Sequence, residues 1–155
     1  MIYVTHDQAE ALSMGDRIAV LSEGKILQVG TPRTVYCEPV SPLVARQLGQ
    51  PAINLLEVRR QNGAWAAAGA AVMPATAGEG SRVLGGRPED IAPEGGASAG
   101  TVRVAEDMGG QWVLLVDWAG TQIHISAEKG HTWRPGDTVY PLIDPRRAIL
   151  WEKRL

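Results

Sequence analysis

Apolar and polar positions are organised differently on the two sides of residue 50. The chain opens on a continuous apolar run, Met1-Ile2-Tyr3-Val4, the pattern of a strand covered on both faces in a parallel sheet or of a buried helix end. Asp7 followed by Glu10 has the shape of a capping box, so Gln8 is expected to open a helix bearing Ala9, Ala11 and Leu12 that Gly15 stops. Residues 17–22 and 25–29 are strand-like runs separated by Glu23-Gly24, which predicts a hairpin at a sheet edge. Thr31 followed by Pro32 predicts a capped helix with Val35 and Tyr36 packed inward, because proline at the first helical position gives up an N–H that would be unpaired anyway. Pro39 and Pro42 stop and restart it, and Leu43, Val44, Gln47 and Leu48 suggest a further helix with an apolar stripe, ended by Gly49 and Pro51.

From Ile53 onward the runs are short and punctuated by glycine and proline, which predicts an all-β module. Between the turn signals Gly109-Gly110 and Ala119-Gly120, alternation places Trp112, Leu114, Val116 and Trp118 on one strand face and Gln111 and Asp117 on the other. Ile123 and Ile125 should likewise point inward while Gln122, His124 and Ser126 face solvent, so the pair reads as a meander in a small barrel. Residues 101–105 and 139–143 are expected to add strands, the latter at an edge because Pro141 cannot donate to a ladder, and 147–151 to close the barrel. Residues 66–80, rich in Ala and Gly, read as a weak strand followed by a loop.

Composition narrows the chemistry. The chain has 155 residues, 45% of them hydrophobic, enough for a buried core. A formal net charge of −2 with scattered Lys and Arg leaves no electrostatic footprint for nucleic acid or an acidic membrane surface. Cys37 is the only cysteine, which excludes an intramolecular disulfide and a thiolate zinc cluster and suits a reducing cytosol. No apolar run approaches the ~18 residues that would read as a membrane-spanning helix, and residues 1–5 are too short and lack the basic leader of a secretory signal.

His6 is the candidate site residue, because it stands where a strand would end and a helix begin, the position that faces the ligand crevice in open α/β sheets. By position alone, a histidine beside an aspartate is more often a structural, hydrogen-bonded group. His124, His131 and Glu128 lack fixed metal-ligand spacing and read as solvated side chains, so no metal is assigned. The tryptophans could be base-stacking platforms, but the basic groove that would accompany them is lacking; Trp65, Trp133 and Trp151 stay open between core, dimer contact and ligand platform.

The run Val4-Thr5-His6-Asp7-Gln8-Ala9-Glu10-Ala11, followed by Asp16-Arg17-Ile18-Ala19-Val20-Leu21, Gly24-Lys25-Ile26 and Gln28-Val29-Gly30-Thr31-Pro32, closely resembles the end of the nucleotide-binding domain of ABC importer ATPases. Gly49-Gln50-Pro51-Ala52-Ile53-Asn54-Leu55-Leu56 resembles the exit from that domain, and Gly85-Gly86-Arg87-Pro88-Glu89-Asp90-Ile91 resembles a run of the transport-associated OB domain appended to importers of the sugar, polyamine and iron classes. Two departures, Gly86 where valine is usual and Trp151-Glu152 where the family often has Phe-Asp, are expected to repack the barrel without changing its type. The resemblance implies a mainly β fold, an OB-like barrel at 51–155 preceded by an α/β remnant of the nucleotide-binding domain at 1–50. It makes His6 the switch histidine that contacts the γ-phosphate of ATP in the complete parent.

No GxxxxGK[ST], LSGGQ-type signature or strand ending in Asp-Glu occurs in these residues, so the chain is expected to be the C-terminal part of a longer ATPase. ATP and magnesium are expected for that parent and no cofactor for this piece, which is not expected to hydrolyse ATP. The implied partners are permease subunits at the inner face of the cell membrane, a second copy through the barrel, and a regulator or solute on the barrel, with no nucleic acid. Loss of the covering sheet would leave the apolar runs of the first fifty residues exposed, which predicts self-association or a poorly ordered N-terminal arm. The resemblance favours a regulatory, dimerising module of an importer ATPase that powers the import of a solute, a sugar or related compound; the rival readings are a stand-alone small-ligand or saccharide-binding barrel and a nucleic-acid-binding OB domain.

Overall fold

Asp7 Oδ1 accepts the backbone N–H of Glu10 at 3.1 Å and so starts helix α1, Gln8–Met14. The computed structural model describes residues 1–153. After Gly15 come strands β1, Ile18–Ser22, and β2, Lys25–Gly30, paired antiparallel across Glu23 and Gly24, both with positive φ (48° and 72°) as a tight hairpin turn demands. Helix α2, Pro32–Cys37, is capped by Thr31, and helix α3, Pro42–Arg46, by Ser41. The Gln28 side chain holds the link between them, donating to the Glu38 carbonyl at 3.1 Å and accepting from Val40 N–H at 3.0 Å. Ile18, Val20, Val35, Val44 and Leu48 form the core of this part, with Ala11, Leu12, Leu27 and Tyr36 packed against it.

Two expectations fail here. Residues 1–4 form no strand and lie exposed, because no described strand runs beside them to take up their backbone groups, and an unpaired strand has no ladder to hold it. Leu43 is exposed rather than part of an inward stripe, since α3 ends at Arg46 and buries only Val44 and Ala45.

Strand β3, Asn54–Gln61, turns through Asn62-Gly63 into β4, Ala64–Ala67, which turns through Ala68-Gly69 into β5, Ala70–Pro74; all four turn residues have positive φ. The 66–80 stretch is thus a second hairpin followed by a loop, tied down because Trp65 on β4 is buried. Strand β6, Ser81–Gly86, leads through a 3₁₀ turn, Pro88–Asp90, to β7, Ile91–Ala92. Strands β8, Gly100–Asp107, β9, Gln111–Trp118, and β10, Thr121–Glu128, form the predicted meander. The expected strand over 139–143 is broken: β11, Thr138–Val139, pairs with β8, while β12, Leu142–Ile143, pairs with β7. Pro141 lies at the break, where its missing N–H interrupts any single ladder. Strand β13, Ile149–Glu152, pairs with β6.

The strands order as β10-β9-β8-β11, β12-β7 and β13-β6-β3-β4-β5, curling into a half-barrel. Leu56, Leu84, Ile91, Leu114, Val116, Ile123, Ile125 and Ile143 fill it, so the inward faces predicted for β9 and β10 are the observed ones. Trp65 and Trp133 belong to this core, and Trp112 is only partly buried against it. The described chain is mainly β and separates into two compact units, one running through Ile53 and the other starting at Asn54.

Candidate functional site

His6 stands at an exposed bend immediately before the cap of α1. Its neighbours are committed to one another. Thr5 Oγ1 donates to Glu10 Oε2 at 2.9 Å and accepts from Asp7 N–H at 2.9 Å, and Tyr3 adds its hydroxyl to the same Glu10 oxygen at 3.3 Å. The capping box is therefore half made: Asp7 caps Glu10, but Glu10 turns back to Thr5 and Tyr3 rather than to the Asp7 N–H. Gln8 Oε1 is buried and has no partner among the described residues. Asp7 and Glu10 are engaged at the helix start, and His6 supplies one imidazole, so the residues present here do not fit a complete ATP and magnesium site.

The barrel gathers its polar side chains elsewhere. Asp90, in the 3₁₀ turn, lies 3.7 Å from Arg147, and its carbonyl accepts from Asp144 N–H at 3.2 Å. Asp144 in turn holds Arg146 at 3.2 Å and accepts the Arg146 backbone N–H at 3.0 Å. Burial raises the Asp90 carboxyl above its ordinary value, helped by Glu89, with Arg147 opposing. Asp144 is lowered by its hydrogen bonds from Arg146, Asp107 by Lys129 and Asp117 by Arg103. Asp90, Asp144, Arg146 and Arg147, with Ile91, Trp133 and Leu142, line a groove of about 1030 Å³.

The histidines considered for a metal do different work. His131 packs edge-on against Trp133 with ring centroids 4.3 Å apart, while the His124 backbone is engaged by Asn54. Sequence reasoning passed over Asn54 and the grouping of Asp90 with Asp144 and Arg147. A polar residue at an inward position of the apolar run Ile53-Asn54-Leu55-Leu56 was the legible signal for the first. The second leaves no such signal, since its members are far apart in the chain.

The TOBE domain family matches residues 84–151, from β6 through β13. The sn-glycerol-3-phosphate import ATP-binding protein UgpC of Jannaschia sp. (strain CCS1) is 38% identical over 139 residues, covering 87% of this chain and 40% of that protein. UgpC of Ruegeria pomeroyi is 37% identical over 89% of this chain and 40% of its own length. UgpC of Rhizobium meliloti is 43% identical over 64% of this chain and 27% of its own length. The chain thus spans about two fifths or less of the length of these relatives. Residues 84–151 thus match the TOBE domain family, in a chain that is similar to part of ABC importer ATP-binding subunits.

Proposed function

We propose that this chain is the C-terminal regulatory and dimerisation portion of an ABC importer ATP-binding subunit, with residues 1–50 from the nucleotide-binding domain and 51–155 forming the TOBE barrel. The single observation that carries this reading is that similarity to importer ATP-binding proteins extends over 87% of the chain, well beyond the TOBE segment. A stand-alone ligand-binding barrel gives no account of the hairpin and capped helices that precede β3. The exposed Met1, Ile2, Val4, Leu21, Ile26 and Val29 also support it, since a soluble surface rarely carries so many apolar groups in one short stretch.

In this reading the complete subunit binds ATP and magnesium and drives permease subunits from the cytoplasmic face of the membrane. The solute is a sugar or related compound, with glycerol phosphate the instance that the relatives' names supply. His6 meets the γ-phosphate once the remainder of the nucleotide site is brought against it, and the barrel pairs with a second copy.

Two experiments test this. The first replaces the matching region of the Jannaschia UgpC with this chain and follows glycerol-3-phosphate uptake, which should be restored. His6→Ala in the chimera should lower uptake by on the order of 10²-fold, the scale for losing one preorganised donor to a reacting phosphate or oxyanion. Equal uptake with and without His6 would remove it from the site. The second is sedimentation equilibrium of this chain over a concentration series, where reversible dimerisation indifferent to ATP is expected and a monomer throughout would refute pairing through these residues.

A further inference from the structure

The turn between β3 and β4 carries chemistry that the importer reading does not use. We infer that Asn62 is a site of spontaneous deamidation, converted through a cyclic imide formed with Gly63 into a mixture of isoaspartate and aspartate. An asparagine followed by glycine meets the least steric resistance to this reaction, because no side chain shields the attacking backbone nitrogen. The chain has two asparagines, and the fold treats them oppositely. Asn54 is 7% exposed, is followed by leucine, and has both amide atoms engaged at 2.7, 2.8 and 3.1 Å. Asn62 is exposed and its side chain makes no hydrogen bond among the described residues, while a Cβ added at Gly63 would meet nothing within 4 Å.

The backbone supplies the geometry. Asn62 at φ 49° and Gly63 at φ 76° join strands paired as Gln61 with Ala64, which is the pattern of a type I′ hairpin turn. Closing the imide ring needs the central peptide turned over, as in a type II′ turn, where ψ at the first central residue is about −120° instead of about +30°. Three features ease this flip. Two-residue hairpins accept both turn types, so the strands on either side stay in register. Asn62 keeps a positive φ in both, and Gly63 crosses from positive to negative φ with no Cβ to hinder it. The peptide that turns makes no hydrogen bond among the described residues, since the Gly63 carbonyl that accepts from Ala75 N–H at 2.9 Å belongs to the next one.

In the reaction the Gly63 nitrogen forms a bond to Asn62 Cγ, the Cγ–Nδ2 bond breaks, and ammonia leaves with the proton that Gly63 gives up. Water then opens the imide. Attack at the side-chain carbonyl gives aspartate, and attack at the main-chain carbonyl gives isoaspartate. Isoaspartate puts one more carbon into the main chain, which a two-residue turn has no room for. The pairing of Gln61 with Ala64 is then lost, and β4 with its buried Trp65 is loosened.

The test is incubation of the full chain at mildly alkaline pH, native and in urea, followed by peptide mapping by mass spectrometry and labelling with protein isoaspartyl methyltransferase. Expected in the native chain is amide-to-acid conversion at residue 62 with Asn54 still an amide, and methyl label that Asn62→Gln, a change at an exposed turn, abolishes. Hydrogen exchange of the converted chain should be faster in β4 by about tenfold or more, as for a segment that opens locally, with β8, β9 and β10 unchanged. Retention of the amide at residue 62 in the native chain overturns the proposal, and conversion in urea alone would show that the turn protects it. So does label that persists in Asn62→Gln, or a converted chain whose exchange in β4 is unchanged. None of these outcomes bears on dimerisation or on uptake, so this inference and the importer reading fail separately.

Discussion

Asn54 ties the two large sheets of the half-barrel together by acting as a strand partner for His124. Its Oδ1 accepts the His124 N–H at 2.7 Å and its Nδ2 donates to the His124 carbonyl at 2.8 Å and to the Gly86 carbonyl at 3.1 Å. β10 is the outer strand of its sheet, so at His124 these backbone groups point away from β9, where only a side chain reaches them. One buried amide, 7% exposed, thereby joins β3, β6 and β10.

Asn54→Ala should therefore be costly, because it strands three backbone groups where water has little access. A loss of about 2–4 kcal/mol is expected, from ~1–3 kcal/mol per unmet buried group with partial relaxation. Urea unfolding should show a lower midpoint with an unchanged slope. A midpoint equal to wild type would mean that the amide is dispensable.

Trp65 is 1% exposed and anchors the second hairpin to the core. Trp65→Ala should cost about 3–5 kcal/mol, the range for truncating a buried aromatic, and should loosen 66–80 first. Hydrogen exchange would report that order, and uniform loss of protection across the barrel would contradict it.

A methyl at Gly96 would overlap the Pro141 carbonyl oxygen and lie 2.7 Å from its carbonyl carbon. Backbone cannot yield as a side chain can, and Gly96 N–H already donates to the Tyr140 carbonyl at 2.9 Å. Gly96→Ala should destabilise by at least the ~1–3 kcal/mol typical of overpacking, with a lower melting temperature as the readout.

Stability should respond to pH through two opposed sets of carboxyls. Asp107, Asp117 and Asp144 have folded pKa values below their unfolded ones, so the stability they contribute is present above the ordinary aspartate range and is lost as pH falls through the folded values. Asp90 is raised, so the folded state holds its proton longer and ionisation costs stability as pH rises from the ordinary value to the folded one. Asp90→Asn should therefore gain stability relative to wild type at neutral pH, and the gain should shrink in acid, where wild-type Asp90 is protonated. Denaturant midpoints between neutral and acid pH would check both signs.

His6→Ala in the isolated chain should leave stability within about 0.5 kcal/mol, as for exposed positions without partners. A larger thermal shift would show that His6 supports the helix start rather than waiting for a ligand.

Much of the architecture could be read from neighbours in the chain. The caps at Asp7 and Thr31, the Glu23-Gly24 and Ala119-Gly120 turns and the alternation along β9 and β10 are decided by residues within a few positions of each other. Where the reading failed, the deciding partner was distant or missing. Residues 1–4 look like a strand but have no described neighbour to pair with, and the 139–143 run splits because its halves are claimed by β8 and β7. The weak Ala-rich segment became ordered because β3 lies beside it and Trp65 has a core to enter.

The sequence by itself determined the turns, the caps and the β character after residue 53, because short-range sterics and hydrogen bonds act between residues already adjacent. Only the tertiary structure decided that Asn54 would meet His124, 70 residues away, and that Asp90 would face Asp144 and Arg147 across one groove. Those contacts exist once the sheets curl. The curl follows from the summed burial of many side chains, which no local pattern specifies.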